Sequence, residues 1–241
     1  SAATWADFDT DGKPDLASWD GSKLRLFLQS TDGTFKSAPV EIPVKIAGEC
    51  LGLAAVDTGS PRLPGLLIST EADPVLVKSA RPRRYECDTM PIGSAKLATL
   101  GKASRCLAAD FDADGLYDVI QPFENGGLAY KGKGDGVFES ARAIAVSAGR
   151  DSRTGKGCGR YFGCVGDYDQ DGLLDVFMVG SARPGLWNNR RNFAFVDTFD
   201  HTGEMPYTVE PGAVGVQTSD VNNDGLQDVL IANSSEIVHN Y

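Results

Sequence analysis

One acidic motif recurs four times along the chain and constrains its fold more than any other feature. The segments DFDTDGKPDL, DFDADGLYDV, DYDQDGLLDV and DVNNDGLQDV each fit the pattern D-x-[DN]-x-D-G-x-x-D followed by an apolar residue. They begin at Asp7, Asp110, Asp167 and Asp220, so the last three starts are 57 and 53 residues apart. Self-similarity at such a period is typical of repeat architectures, in which each repeat is one supersecondary unit.

The gap of 103 residues between the first two motifs leaves room for one further repeat. In the same register the segment DTGSPRLPGLLIS begins at Asp57, with Gly65 in place of the last acid. An aromatic residue supports this register, because it occurs 28 residues after the first position in four of the repeats: Phe35, Tyr85, Phe138 and Phe195. The chain therefore contains five repeats, of which the second has lost its acids.

Each repeat contains four short apolar segments separated by Gly, Asp and Asn, without a sustained helical period. The Asp-Gly pairs in TDGTF and GDGVF are typical of tight β-hairpins. The pattern predicts an all-β fold, a β-propeller with five four-stranded repeats, of which the last is incomplete. A β-solenoid is disfavoured because its repeats are usually shorter. The chain is expected to be a single propeller domain or propeller segment, with repeats near 1–48, 49–101, 102–158, 159–212 and 213–241.

The fifth repeat is expected to lack a fourth strand, because the sequence ends after its third apolar segment, IVHNY. We expect its blade either to remain three-stranded with a blunted edge or to be completed by another segment or chain, since an open sheet edge favours association.

The acidic loops, placed between the first and second strands of four blades, predict calcium sites. Oxygen atoms at positions 1, 3 and 5 of a tight turn converge on one point, and Gly at position 6 permits the bend. By analogy with such loops, the backbone carbonyl at position 7 and the acid at position 9 complete the site. An EF-hand also needs Glu at position 12, where this chain has Ser18, Gln121, Met178 and Ile231.

Four calcium ions are thus expected, because magnesium favours fewer carboxylates and retained water. Asn222 makes the fifth-repeat loop the expected weakest site. In the first repeat the predicted ligands are Asp7, Asp9, Asp11, the carbonyl of Lys13, and Asp15. In the third they are Asp110, Asp112, Asp114, the carbonyl of Leu116, and Asp118. In the fourth they are Asp167, Asp169, Asp171, the carbonyl of Leu173, and Asp175. In the fifth they are Asp220, Asn222, Asp224, the carbonyl of Leu226, and Asp228.

Charge and composition exclude several classes of function. The net charge of −10 disfavours nucleic acid as a partner, and no apolar run approaches the roughly 18 residues that would insert into a membrane. The chain has two histidines and no G-x-S-x-G motif, so no catalytic residue is predicted and a binding role is favoured over an enzymatic one. Cys158 and Cys164 are spaced either for a disulfide or for two free thiols.

The repeated motif resembles the FG-GAP or VCBS-type repeats of integrin α-subunit propellers and of many secreted bacterial proteins. This resemblance implies a calcium-stabilised propeller, extracellular, secreted or periplasmic, that takes part in cell adhesion, scaffolding or other protein interactions. A carbohydrate-binding lectin or a polysaccharide-degrading propeller is the alternative. The long connections at about 141–163 and 198–214 are candidates for contact with a protein or glycan ligand, because binding residues concentrate on loops held by a rigid scaffold.

Overall fold

The computed structural model consists of short antiparallel strands. It describes residues 1–35, 38–58, 64–81, 84–90, 100–124, 126–144, 162–179, 185–198 and 213–233. Within these residues, no helix has the length and apolar character that a membrane-spanning helix requires.

The strands form five sheets, here called blades 1 to 5. Blade 1 contains β1 (Ala2–Ala6), β2 (Asp15–Trp19), β3 (Leu24–Phe27) and β4 (Val40–Ile42). Blade 2 contains β5 (Cys50–Val56), β6 (Gly65–Thr70), β7 (Val75–Arg81) and β8 (Arg84–Thr89). Blade 3 contains β9 (Leu107–Ala109), β10 (Asp118–Phe123), β11 (Gly126–Tyr130) and β12 (Arg142–Ile144). Blade 4 contains β13 (Phe162–Gly166), β14 (Asp175–Val179), β15 (Gly185–Asn189) and β16 (Phe195–Asp197). Blade 5 contains β17 (Ala213–Ser219) and β18 (Asp228–Asn233).

Each four-stranded blade is an antiparallel meander, in which neighbours in sequence are also neighbours in space. The predicted all-β propeller is therefore confirmed. The third strand expected at 237–241 lies outside the described residues, and the boundaries predicted for the repeats remain predictions. Predictions for the connections at 145–161 and 199–212, and for Cys158, also lie outside them. Cys164 is a buried free thiol, with its Sγ 3.2 Å from the hydroxyl of Tyr168.

The blades pack face to face in chain order, and each contact is an apolar cluster. Leu26 of blade 1 packs with Ile68 of blade 2, while Leu67 on the opposite face of blade 2 packs with Leu128 of blade 3. Further clusters join blade 3 to blade 4 and blade 4 to blade 5. The first strands β1, β5, β9, β13 and β17 contact one another in this same order. They form the inner side of the stack.

The aromatic residue that occurs 28 positions into four of the repeats lies in the fourth strand of only two blades. Phe195 begins β16 and Tyr85 lies in β8, as expected for residues that begin a fourth strand. Phe35 and Phe138 instead make isolated bridges to Gln29 and Gly132, and the outer strands of blades 1 and 3 begin later.

The three tryptophans differ in burial. Trp19 and Trp187 are buried, whereas 56% of the surface of Trp5 is exposed. The side of β1 that carries Trp5 points away from blade 2. The ring of Trp5 lies 6.1 Å from that of the exposed Phe35.

Candidate metal centres

The four acidic loops share one backbone conformation. Their sixth residue is Gly with φ between 83° and 87°, as the sharp bend requires: Gly12, Gly115, Gly172 and Gly225. The fourth residue also has positive φ, between 58° and 60°, although it is not Gly in any loop: Thr10, Ala113, Gln170 and Asn223. The spacing predicted the first of these features. The second was not predicted, because among the residue types at position 4 only Asn favours positive φ.

The acid at position 1 holds this conformation together. Its two carboxylate oxygens accept hydrogen bonds from the backbone N–H groups of positions 5 and 6, at 2.8 to 3.1 Å in all four loops. The acid at position 5 accepts a bond from the N–H of position 7, at 2.8 to 3.0 Å. The loops are thus organised by their own side chains.

The acid at position 9 connects the loop to the third strand. Asp118 is fully buried, with one carboxylate oxygen 3.0 Å from the backbone nitrogen of Phe111 and the other 2.8 Å from that of Gly132. Asp15 and Asp175 make the equivalent pairs of bonds, and Asp228 makes the bond within the loop. Burial raises the pKa of Asp118 to about 6 and also raises those of Asp15 and Asp175. Burial thus destabilises the ionised form of these carboxylates, and a nearby cation would stabilise it.

Acids at positions 1, 3 and 9 converge in three of the loops. In each triad, one carboxylate oxygen per residue lies within 4.8 Å of the others. The triads are Asp7, Asp9 and Asp15; Asp110, Asp112 and Asp118; and Asp167, Asp169 and Asp175. These three groups could hold a metal ion. The fifth-repeat loop has Asn222 at position 3, so it offers a carboxylate at only two of these three positions.

The chemistry of these triads fits a hard cation. All donors are oxygens, and one of them, Oδ1 of Asp112, is buried without a hydrogen-bond partner among the described residues. A buried acceptor of this kind is costly unless something occupies it. Asp11, Asp114, Asp171 and Asp224 at position 5, and the carbonyls at position 7, remain predicted ligands.

Side chains in the third strand or directly after it also reach the loops, and the motif did not reveal them. The ammonium of Lys131 contacts Asp112 and lies 2.7 Å from Oδ2 of Asp114. In the fourth repeat the amide of Asn188 donates to Asp169 and Asp175, at 3.1 and 3.2 Å. Both residues lie 21 positions after the first loop acid, where the first repeat has Leu28. That common register is the sequence signal that could have identified them.

The second repeat has a protein contact beside its degenerate loop. The carbonyl of Thr58 accepts a hydrogen bond of 2.8 Å from the N–H of Gly136, in the β11–β12 hairpin of blade 3. A Cβ on Gly136 would lie 2.5 Å from the side chain of Lys78, so this close approach favours Gly. The degenerate loop of the second repeat is therefore hydrogen-bonded to blade 3.

Comparison with known proteins identifies similar sequences and folds. The sequence model of the FG-GAP-like repeat family matches residues 7–59 and 167–233. No curated protein sequence matches the chain. Among solved structures, an Agrocybe aegerita lectin that recognises non-reducing terminal N-acetylglucosamine aligns with a TM-score of 0.67 and 17% identity, over 94% of this chain and 59% of the lectin. The Tc holotoxin pore of Photorhabdus luminescens aligns with a TM-score of 0.49 and 15% identity, over 96% of this chain and 11% of the toxin chain.

Proposed function

Because the chain belongs to the FG-GAP-like repeat proteins and folds as a β-propeller, we propose that it is a calcium-stabilised binding module. The observation that carries this proposal is the convergence of acids 1, 3 and 9 in three loops of identical backbone conformation. A propeller fold by itself does not specify a function, so the proposal rests on these sites.

Calcium is the proposed ion because it takes six to eight oxygen ligands and tolerates several carboxylates. Acids 1, 3 and 9 would hold it, with the acid at position 5 and the carbonyl at position 7 as further ligands. When bound, the ion supplies positive charge and crosslinks the loop to the third strand through the acid at position 9. Four ions would change the formal charge of the chain from −10 to −2.

Removal of calcium tests this proposal. A ligand that binds only the folded chain adds about 2.7 kcal/mol per site at 100 times its Kd. We expect chelation to lower the melting temperature and calcium titration by calorimetry to restore it, with magnesium less effective. The proposal fails if the chelated, metal-free protein melts at the same temperature as the calcium-loaded protein.

For the bound partner, we propose a protein ligand in adhesion or scaffolding, at an extracellular or periplasmic location. The acidic charge supports a partner other than nucleic acid. The test is cross-linking of the calcium-loaded protein to intact cells, compared with the chelated protein. Equal cross-linking in both states would contradict a calcium-dependent adhesion module.

A carbohydrate ligand is the second candidate, and the exposed pair of Trp5 and Phe35 favours it. Aromatic side chains have an apolar face and pack well against apolar surface. A glycan array is the direct test, with Trp5→Ala compared with Val196→Ala as an exposed control far along the chain. If neither the native protein nor the control binds any glycan, the carbohydrate candidate is eliminated.

A further inference from the structure

The third-repeat loop has a cation of its own within its acidic cluster. The ammonium of Lys131 contacts Oδ2 of Asp112 and lies 2.7 Å from Oδ2 of Asp114, and about a third of the lysine side chain is exposed. Asp112 and Asp114 are positions 3 and 5 of the loop, which are also predicted calcium ligands. Lys131 follows β11 directly, so the strand fixes where the side chain starts.

The other two triads lack an equivalent lysine. The first repeat has the buried Leu28 at this register position, and the fourth has the neutral Asn188. In the fourth repeat a guanidinium nitrogen of Arg190 lies 3.3 Å from Asp169 and 4.0 Å from Asp171, from a side chain that is half exposed. Water screens such an exposed pair more strongly. The first and third loops have the same four acids, but the first contains Lys13 at position 7, where the third has Leu116.

We propose that Lys131 is an affinity-determining residue of the third-repeat loop. Its ammonium offsets one of the two negative charges of Asp112 and Asp114 when no metal is bound, and it repels a calcium ion bound to the same carboxylates. This inference rests on the proposed calcium function.

The physical reason is repulsion between the ammonium and an ion held by the same two carboxylates. Calcium binds oxygen at 2.3 to 2.6 Å, so an ion bound to Asp112 and Asp114 would lie roughly 4 to 5 Å from an ammonium that stayed in place. Two positive charges at that distance repel each other strongly in a partly buried site. The third loop should therefore bind calcium more weakly than the same loop without Lys131, although its four carboxylates are unchanged. It should also depend less on calcium for its stability.

The test replaces the charge and measures two quantities. Lys131→Met removes the ammonium, and Lys131→Gln removes the charge while keeping a hydrogen-bond donor. Lys133→Met is the matched control, because Lys133 is two residues away and its ammonium pairs with Glu139 at 3.4 Å. Each protein is titrated with calcium by calorimetry after chelation, and its melting temperature is measured in calcium and in chelator. Addition of Asp112→Ala to each variant assigns the third-loop site.

We expect both Lys131 variants to bind calcium about tenfold more tightly at the site that Asp112→Ala removes, consistent with the way ligand charge tunes such sites. We expect their melting temperatures to fall in chelator and to rise by more than that of the native protein when calcium is added. Lys133→Met should change neither quantity.

Two results overturn the inference in distinguishable ways. If Lys131→Met and Lys131→Gln lower the melting temperature equally in calcium and in chelator, with unchanged affinity, Lys131 has a structural role only and the calcium function stands. If no loop of the native protein or of the variants binds calcium, the proposed function fails and this inference fails with it.

Discussion

Two acids of the third-repeat loop have the same charge but different surroundings. Both carboxylate oxygens of Asp118 are bonded to backbone N–H groups and the side chain is fully buried. Asp112 instead contacts Lys131 through one oxygen and has a buried second oxygen without a hydrogen-bond partner in the described part of the chain. Asp118 therefore holds the loop to the strand, while Asp112 is available to a cation.

These surroundings predict different responses to the loss of charge at the two positions. Asp118→Asn should lower the free energy of unfolding by about 1 to 3 kcal/mol in calcium and in chelator, because its new NH2 group faces a backbone N–H and leaves it unpaired. Asp112→Asn should cost less than about 1 kcal/mol in chelator, since it weakens only a partly exposed ion pair. It should also reduce the stabilisation by calcium. Urea unfolding of both variants in both conditions measures the difference, and equal losses in chelator would contradict the assignment.

The spacing of the motif predicted which acids converge, because the loop is a local structure whose nine positions are consecutive in sequence. It did not predict Lys131, which follows the third strand of its repeat, or Asn188, which lies in the third strand, although both contact the loops. Their positions depend on the register between the second and third strands, and the motif contains no information about that register. Positive φ at Thr10 and Ala113 was also missed, because neither residue type favours that conformation.

At the scale of elements, the two middle strands of blades 1 to 4 are more buried than the outer strands. All six residues of β6 are buried, and so are those of β10. Each of these strands has a neighbouring strand on both sides in its own blade, and an adjacent blade covers each of its two faces. Successive side chains of a strand point to opposite faces. Leu67 therefore packs toward blade 3 and Ile68 toward blade 1. The apolar runs in the sequence predicted these strands, while the shorter outer strands β4 and β12 began later than their aromatic markers indicated.

This burial predicts a large cost for shortening one side chain. Leu67→Ala should lower the free energy of unfolding by about 2 to 5 kcal/mol, because it removes buried methyl groups and leaves a cavity at the contact between blades 2 and 3. Val196→Ala, on the outer strand of blade 4 and 45% exposed, is the control and should change it by about 0.5 kcal/mol or less. Chemical denaturation of both variants checks the prediction. Similar losses would show that the contact between the blades contributes little.

The whole molecule is a row of blades in which each blade contacts its neighbours in sequence. Blades 2, 3 and 4 are packed on both faces. The outward face of blade 5 includes the exposed Leu230, and that of blade 1 includes the exposed Trp5. In such an arrangement, stability is approximately a sum of blade terms and contacts between neighbours.

This arrangement predicts that local unfolding is easier in blade 5 than in blades 2 and 3. Backbone amides of β6 and β10 should exchange with deuterium most slowly, and those of β17 and β18 should exchange earlier, because blade 5 has one packed face among the described residues. Native-state hydrogen exchange followed by mass spectrometry resolves these segments. Uniform protection across blades 3 and 5 would indicate that the molecule opens as a single unit.

The strand pairing has a further consequence for how the chain acquires its fold during synthesis. Every strand ladder among the described residues joins strands of one blade, and consecutive strands are separated by short stretches of chain. Contacts that are local in sequence form with a small loss of chain entropy and therefore quickly. A blade can thus complete its ladders as soon as its own residues have left the ribosome, before the next blade has emerged. The next blade can then pack against the apolar face of the completed one. The blades are therefore expected to assemble in the order of the sequence.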